Sequence, residues 1–192
     1  MKLYCATGNP GKLKEFRLAG SAYEIDLELL PGFRDIPAAV EDGLTFEENA
    51  VIKARHYARH AGGLVFADDS GLEVDALGGA PGVFSARYAG KQGADHANNL
   101  LLLENLKGVA DRAARFVCAI ALVEGEKLAG VWRGSVEGVI LDAPRGLGGF
   151  GYDPLFYYEP FGCTFGEAPE ERKLEVSHRG RALRAMLADL KD

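Results

Sequence analysis

The sequence lacks the features that mark several large classes of protein. No apolar run among its 192 residues reaches membrane-spanning length, and the start MKLYCATGNPGK has no apolar stretch typical of a signal peptide. Its three cysteines, Cys5, Cys118 and Cys163, are widely separated and form no CxxC pair, which disfavours a disulfide framework or a zinc site. These absences predict a cytoplasmic protein without a membrane segment.

Basic residues are also in short supply. Lys and Arg number 22 against 28 Asp and Glu, which gives a formal net charge of −6. Binding along a nucleic-acid backbone requires an extended basic surface, so this balance argues against a nucleic-acid partner. A small polyanion remains possible, because a few converging Lys and Arg side chains can hold one locally.

Length and composition predict one globular domain over residues 1–192. The hydrophobic share of 47% and the charged share of 26% are ordinary for a folded domain, and no repeat or linker interrupts the chain. Strands are expected over 2–6, 23–30, 64–67, 72–77, 114–124, 128–136 and 155–158, and helices from about 12, over 45–61, over 96–106 and after 177. This alternation predicts an α/β fold, with a mixed β-sheet flanked by helices.

A glycine-containing loop joins the first predicted strand to the first helix. Thr7-Gly8-Asn9-Pro10-Gly11-Lys12 could bring backbone N–H groups, a helix N-terminus and one lysine to a phosphate group. It is not a Walker A loop, because its spacing is short and Leu13 stands where Ser or Thr would meet the metal. An ordinary tight turn with a solvated lysine is the alternative interpretation.

An acidic segment, Asp68-Asp69-Ser70-Gly71, follows the predicted strand over 64–67. The carboxyl ends of strands are where α/β sheets place ligands, and adjacent carboxylates suit Mg²⁺. Successive side chains of a strand point to opposite faces, so both aspartates are expected to face one site only if the strand has ended. We favour Asp69 as the working residue, with Asp68 in support; an acidic turn is the alternative.

Thr45 and Glu48 form a capping box that predicts the start of a helix. Lys53 lies along one edge of the apolar stripe of that helix, where it could point into a cleft. His56 and His60 have the same i, i+4 spacing as a metal-binding pair, but no HExxH pattern is present, so we interpret them as solvated or hydrogen-bonded locally.

Two later segments carry polar and aromatic residues. Residues 146–151 match GxGxxG, yet Tyr152-Asp153-Pro154 follows instead of a helix, so a dinucleotide site is not expected. The segment is then a loop whose aromatic side chains could stack on a base or pack in the core. His178 and Arg179 open the last helix, where they could bind an anion or a carbonyl group or act as a solvated cap.

The order of these blocks along the chain resembles one known family. TGNPGK, GLTFEENAVIKA, ADDSGLEVDALGGAPGVFSARYAG, GGFGYDPLF and SHRGRAL, spread from Ala6 to Leu183, closely resemble the non-canonical purine nucleoside triphosphate pyrophosphatases, the inosine and xanthosine triphosphatases. The resemblance implies two lobes around a long mixed sheet, an active site in the cleft between them, and a homodimer. It also implies Mg²⁺-dependent hydrolysis of ITP, dITP and XTP to the monophosphate and pyrophosphate, which clears these compounds from the nucleotide pool.

The resemblance further implies roles for individual residues. Glu41 and Asp69 match the metal-site carboxylates, and Asp69 matches the catalytic general base. The implied substrate-binding residues are Thr7, Gly8, Asn9, Pro10, Gly11, Lys12, Lys53, Ser70, Phe150, Gly151, Tyr152, Asp153, Lys173, His178 and Arg179. Two other functions remain open: a sensor that binds a triphosphate without cleaving it, and a nucleotidyl- or phosphotransferase with a second substrate.

Overall fold

A computed structural model describes residues 1–190, so the last two residues of the predicted domain, 191 and 192, lie outside the described range. The strands are β1 (Lys2–Cys5), β2 (Asp26–Leu29), β3 (Leu64–Val74), β4 (Ala113–Glu124), β5 (Lys127–Ile140), β6 (Phe156–Tyr158) and β7 (Cys163–Thr164). The α-helices are α1 (Pro10–Gly20), α2 (Phe46–Ala58), α3 (Asp95–Asn105), α4 (Glu170–Val176) and α5 (His178–Asp189). Short 3₁₀ segments cover Phe33–Asp35, Asp75–Leu77, Gly82–Arg87 and Glu159–Phe161.

The seven strands form one mixed sheet in the order β2-β1-β3-β4-β5-β6-β7. β1 pairs in parallel with β2 and β3, and every later pairing is antiparallel. The predicted α/β class, with a mixed sheet flanked by helices, is therefore confirmed. Within residues 1–190 no helix is both long enough and apolar enough to cross a membrane.

The two faces of the central strands bury different helices. Val65 and Ala67 of β3 belong to a core cluster with the small and aromatic side chains of α2. Phe66, between them in sequence, belongs to a second cluster that contains Phe16 of α1 and Leu183 of α5. Because strand side chains alternate, odd-numbered residues in the first half of β3 face α2 and even-numbered ones face α1 and α5. This alternation determines the face of the sheet from which each acidic side chain of β3 projects.

The predicted helix starts agree closely with the structure. Both hydrogen bonds of the capping box are present: Glu48 N donates to Thr45 Oγ1 (3.1 Å), and Thr45 N donates to Glu48 Oε2 (3.2 Å). Ser177 caps α5 by accepting a hydrogen bond from Gly180 N. α1 begins at Pro10, two residues before the predicted start, because Asn9 caps it.

The prediction that the strand ends at Ala67 is wrong. β3 runs without a break through the acidic segment to Val74, and each of its residues has a partner on β4, from Leu64 opposite Glu124 to Val74 opposite Ala114. The separate strand predicted over 72–77 is the second half of β3. Pairing along eleven residues outweighs the local turn preference of Asp, Ser and Gly.

Other boundaries differ for similar reasons. β5 extends to Ile140 instead of 136, and β2 is confined to Asp26–Leu29, the length over which it pairs with β1. α2 ends at Ala58, three residues before the predicted end. α4, which carries Lys173, was not predicted; it has no side-chain N-cap bond and is only seven residues long.

Candidate active site

A cleft of about 620 Å³ opens beside the middle of β3. β1 pairs with β3 only as far as Cys5 opposite Phe66, so the edge of β3 beyond that point has no parallel neighbour. The cleft therefore forms at the carboxyl end of a parallel strand, where α/β sheets commonly bind ligands. Its lining includes the predicted residues Thr7, Gly8, Asn9, Pro10, Gly11, Lys12, Glu41, Lys53, Asp69, Ser70, Phe150, Gly151, Tyr152, Asp153, His178 and Arg179.

The loop before α1 forms one wall of the cleft. Asn9 Oδ1 accepts hydrogen bonds from the backbone N–H groups of Gly11 (2.9 Å) and Lys12 (3.1 Å), which fixes the start of the helix. A Cβ at Gly11 would lie 2.7 Å from the Phe150 ring, so glycine is required here for close packing. The loop and the aromatic segment at 150–153 thus meet directly across the cleft.

Asp68 and Asp69 line the same cleft although β3 does not end before them. They leave opposite faces of the strand, and each binds a lysine from a different helix. Asp68 Oδ2 accepts from Lys12 Nζ (2.7 Å) and from Ser70 Oγ (2.6 Å), while Asp69 Oδ1 accepts from Lys53 Nζ (2.9 Å). The expectation that both could reach the site only past the end of the strand is wrong, because the missing neighbour leaves both faces open.

The two carboxyl groups differ in their electrostatics. Burial alone would raise the pKa of Asp68, but the charges of Lys12 and Lys53 outweigh it and lower that pKa to about 2. Burial, with a smaller contribution from the charge of Glu41, raises the pKa of Asp69 against the opposing charges of Lys53 and Lys12. A carboxylate with a raised pKa accepts a proton more readily, which suits Asp69 better than Asp68 to act as a base.

Glu41 and Asp69 both bind the ammonium group of Lys53. Lys53 Nζ donates to Glu41 Oε2 (2.8 Å) and to Asp69 Oδ1 (2.9 Å), and Asn49 Nδ2 donates to the other Asp69 oxygen (3.3 Å). Burial lowers the pKa of Lys53, but the surrounding carboxylates, Asp69 foremost, raise it above its usual value. Two oxygen ligands that already meet at one positive charge fit Mg²⁺, which usually takes one or two protein carboxylates and completes its shell with phosphates and water.

No larger metal-binding cluster competes with this pair. Across residues 1–190, no group of three or more His, Cys, Asp or Glu side chains is arranged to hold a metal ion. The ring of His56 contacts the backbone oxygen of Pro37 through Nε2 (2.7 Å), which is the kind of local hydrogen bond expected for a histidine on the flank of this helix.

A buried charge network forms the opposite wall. Lys173 Nζ donates to Glu15 Oε1 (2.7 Å) and to Asp153 Oδ2 (2.6 Å), and Arg179 Nη1 lies 3.0 Å from the second oxygen of Glu15. Lys173 is therefore the one predicted site residue that does not line the cleft, because it lies behind Asp153. The Phe150 ring covers both cations, with its centroid 5.4 Å from Lys173 Nζ and 4.8 Å from Arg179 Cζ.

His178 is held neutral in this wall. Its ring stacks on Phe116 with centroids 4.9 Å apart, and burial, together with the charge of Arg179, lowers its pKa well below the usual value. Arg179 Nη1 donates to His178 Nε2 (2.8 Å), so the proton of the neutral ring lies on Nδ1. Nδ1 of His178 and Nε of Arg179 are buried and have no hydrogen-bond partner within the described structure. The two residues at the start of α5 therefore each carry one buried, unpaired donor.

Tyr152 combines both roles that the sequence left open for the aromatic side chains of this loop. Tyr152 packs in the core and donates through its hydroxyl to Ser85 O (2.7 Å), yet it also lines the cleft. The sequence did not identify Glu15, Ser85 or Asp95. Glu15 follows Lys12 by three residues on α1, and that spacing was the only available sign that it faces the site.

The fold and the cleft together define a class of protein before any relative is considered. A mixed α/β sheet carries at its open edge two lysines, a shared pair of carboxylates and an aromatic wall with unpaired donors. These features suit a polyanionic ligand that bears a ring with an acceptor group and that brings a divalent cation.

Comparison with known proteins identifies the family. The Ham1 family model matches residues 3–189, and the chain belongs to the Ham1 family. A dITP/XTP pyrophosphatase of Exiguobacterium is 50% identical over 99% of this chain and 97% of that protein. A dITP/XTP pyrophosphatase of Thermus thermophilus is 49% identical over 100% of this chain and 93% of its own length. The resemblance noted from the sequence is thus confirmed.

Solved structures agree with the fold. A HAM1 protein from Coxiella burnetii has a TM-score of 0.88 at 42% identity, covering 100% of this chain and 98% of that one. The Staphylococcus aureus Ham1 protein has a TM-score of 0.86 at 38% identity with the same coverage. The seven-stranded sheet and its flanking helices are therefore those of the family.

Proposed function

We propose that this protein hydrolyses dITP, ITP and XTP to the nucleoside monophosphate and pyrophosphate, using Mg²⁺. The proposal is supported by relatives of about 50% identity over the full chain that carry the name dITP/XTP pyrophosphatase. The structural observation that carries it is the convergence of the acidic pair, both lysines and the donor pair on one cleft. Removal of such nucleotides from the cellular pool is the biological role that follows.

The phosphates are expected to lie between Lys12 and Lys53. Both ammonium groups are largely buried, with side-chain exposures of 16% and 12%, so their charges act in a medium of lower dielectric than water. Mg²⁺ on Glu41 and Asp69 would neutralise further phosphate charge when bound. Phosphoryl transfer depends mainly on such positioning and charge neutralisation, which these residues are arranged to supply.

Asp69 is the proposed general base. Its raised pKa favours proton uptake from an attacking water, and Asn49 and Lys53 fix the orientation of the carboxylate. Asp68 has the opposite character, because its pKa of about 2 keeps it ionised as the partner of Lys12. We therefore assign base chemistry to Asp69 and lysine positioning to Asp68.

Selection against adenine is assigned to the donor pair at the start of α5; guanine also carries a carbonyl at position 6, so these donors do not distinguish it. Hypoxanthine and xanthine carry a carbonyl acceptor at position 6, whereas adenine carries an amino donor there. Nδ1–H of His178 and Nε–H of Arg179 have no partner and would be satisfied by a carbonyl. An amino group would leave them unpaired, and a mismatch of this kind can give discrimination of about 10⁴-fold. Phe150 would stack on the base beside them.

Three further properties are proposed, the first from the family resemblance and the other two from the length and composition of the sequence. The protein is expected to act as a homodimer, in the cytoplasm, and as a single domain. Sedimentation equilibrium at several protein concentrations tests the first: a mass twice the 20.6 kDa of one chain is expected. A mass equal to one chain at all concentrations would contradict it.

The central experiment measures pyrophosphate release from dITP, XTP, dGTP and dATP, each with Mg²⁺ and with EDTA. We expect the highest kcat/KM with dITP or XTP, little release from dATP, and none with EDTA. Nucleotide binding without release would favour the sensing protein, and release only after addition of an acceptor would favour the transferase. dATP as the best substrate would contradict the donor-pair model of base selection.

A further inference from the structure

Gly151 lies at the centre of the aromatic wall, between Phe150 and Tyr152, and both ends of this residue are held by one turn of α3. Its N–H donates to Asp95 Oδ2 (2.7 Å), and its carbonyl accepts from Asn99 Nδ2 (3.0 Å). Gly151 has a φ of +62°, a conformation that other residues rarely adopt. The two bonds therefore fix a peptide that has little steric preference of its own.

The helix that makes these bonds is itself anchored near the cleft. Asn98 accepts from Ala89 N (2.8 Å) and donates to Ala86 O (3.3 Å), which ties the first turn of α3 to the end of the 3₁₀ turn Gly82–Arg87 and to the residues just after it. Tyr152 reaches the same turn through Ser85 O. The start of α3 is therefore held in place. Loss of its two hydrogen bonds to Gly151 would free Gly151 without removing the anchor of Tyr152.

Asp95 lies in the first turn of α3, where a negative charge favours the helix N-terminus, and the one hydrogen bond described for its side chain goes to Gly151. It is the first residue of α3, makes no side-chain capping bond, and lines the cleft as an exposed carboxylate. An acidic side chain beside a cleft for triphosphates is electrostatically unfavourable unless another interaction offsets its repulsion of the phosphates. The short hydrogen bond from Gly151 N to Asp95 is such an interaction, because a charged acceptor makes a stronger hydrogen bond than a neutral one.

We propose that Asp95 and Asn99 are positioning residues for base recognition: they hold Gly151 so that the neighbouring Phe150 ring stays over Arg179. This inference rests on the proposed function. It concerns the base end of the cleft alone, because neither side chain contacts Lys12, Lys53 or the acidic pair in the bonds described.

The test compares a whole substrate with its phosphate part. For Asp95→Ala we expect KM for dITP to rise about 10-fold or more, the factor typical of a lost hydrogen bond to a charged group, with kcat within about 2-fold. The inhibition constant of inorganic tripolyphosphate, which has no base, should not change. Asp95→Asn retains an acceptor of the same shape and should restore most of the affinity. Asn99→Asp, which loses the donor, should resemble Asp95→Ala.

Asp142→Ala is the matched control, because Asp142 is 97% exposed in its side chain and lies outside the cleft lining. It should leave KM and kcat unchanged. The inference is overturned if Asp95→Ala weakens tripolyphosphate as much as dITP, or if kcat falls while KM stays constant. A wild-type protein that does not hydrolyse dITP overturns the proposed function, and this inference with it.

Discussion

Replacing Asp68 or Asp69 by asparagine should separate stability from turnover, because the two neighbours leave opposite faces of β3. Asp68→Asn removes the charge that holds Lys12, and Lys12 has no second carboxylate within the hydrogen bonds described. Asp69→Asn leaves Lys53 paired with Glu41. The first change should therefore lower stability, and the second should lower the rate of hydrolysis.

The magnitude for Asp68 follows from its pKa. The side chain is 1% exposed, and its pKa falls from an ordinary 3.8 to about 2. Ionisation of this group then contributes roughly 2 kcal/mol to the free energy of unfolding at neutral pH. For a chain of this length that corresponds to a fall in Tm of roughly 4–8 °C. The contribution is complete above the unfolded pKa and disappears as the pH falls from about 4 to about 2.

The ionisation of Asp69 changes the free energy of unfolding in the opposite direction. Its pKa is raised in the folded protein, so its ionisation above that pKa opposes folding, and Asp69→Asn should leave Tm unchanged or increase it. Loss of a general base typically costs about 10²- to 10⁴-fold in rate. The kcat for dITP should therefore fall by at least about 100-fold.

The assay combines thermal unfolding at pH 7 and pH 3 with steady-state kinetics on the same preparations. We expect the stability difference between Asp68→Asn and wild type to shrink by roughly half at the lower pH, because pH 3 lies between the folded and unfolded pKa values of Asp68. An Asp68→Asn protein as stable as wild type at pH 7, or an Asp69→Asn protein with normal kcat, would refute the assignment of the two aspartates.

Three more outcomes are expected. Lys53→Met leaves Glu41 and Asp69 without the ammonium group that they share, so the affinity for Mn²⁺ in the absence of nucleotide should rise about 10-fold. Electron paramagnetic resonance measures this affinity, and an unchanged value would contradict the prediction. Gly134→Ala would place a Cβ 2.2 Å from His178 O, so α5 must shift. Tm should fall by an amount equivalent to about 1–3 kcal/mol, and an unchanged Tm would argue against tight packing between β5 and α5. Chelation of Mg²⁺ should abolish activity without changing far-ultraviolet circular dichroism, and loss of helical signal would indicate a structural metal instead.

The sequence predicted those parts of the fold whose signals are local. The capping box at Thr45 and Glu48 satisfies its own hydrogen bonds, so its meaning does not depend on distant residues. The acidic segment is the contrary case. Asp, Ser and Gly favour a turn when they are considered alone, but pairing with β4 keeps Asp68 and Asp69 in a strand.

Residues that line the cleft were predicted where they belong to contiguous motifs and missed where their position depends on packing between distant elements. The loop before α1 and the start of α5 could be identified from residue type and position. The pairing of Glu15 with Lys173 joins residues that lie 158 positions apart in the chain. No periodicity in one sequence encodes such a contact. Asp95 was missed for the same reason, since its partner is a backbone N–H of Gly151.

The most direct test of the account identifies the products formed from dITP by the wild-type protein with Mg²⁺. Anion-exchange chromatography of the complete reaction should give deoxyinosine monophosphate and pyrophosphate in equal amounts, with no diphosphate at any time. Accumulation of deoxyinosine diphosphate with orthophosphate would contradict the account, because the cleft would then direct water to a different phosphorus atom.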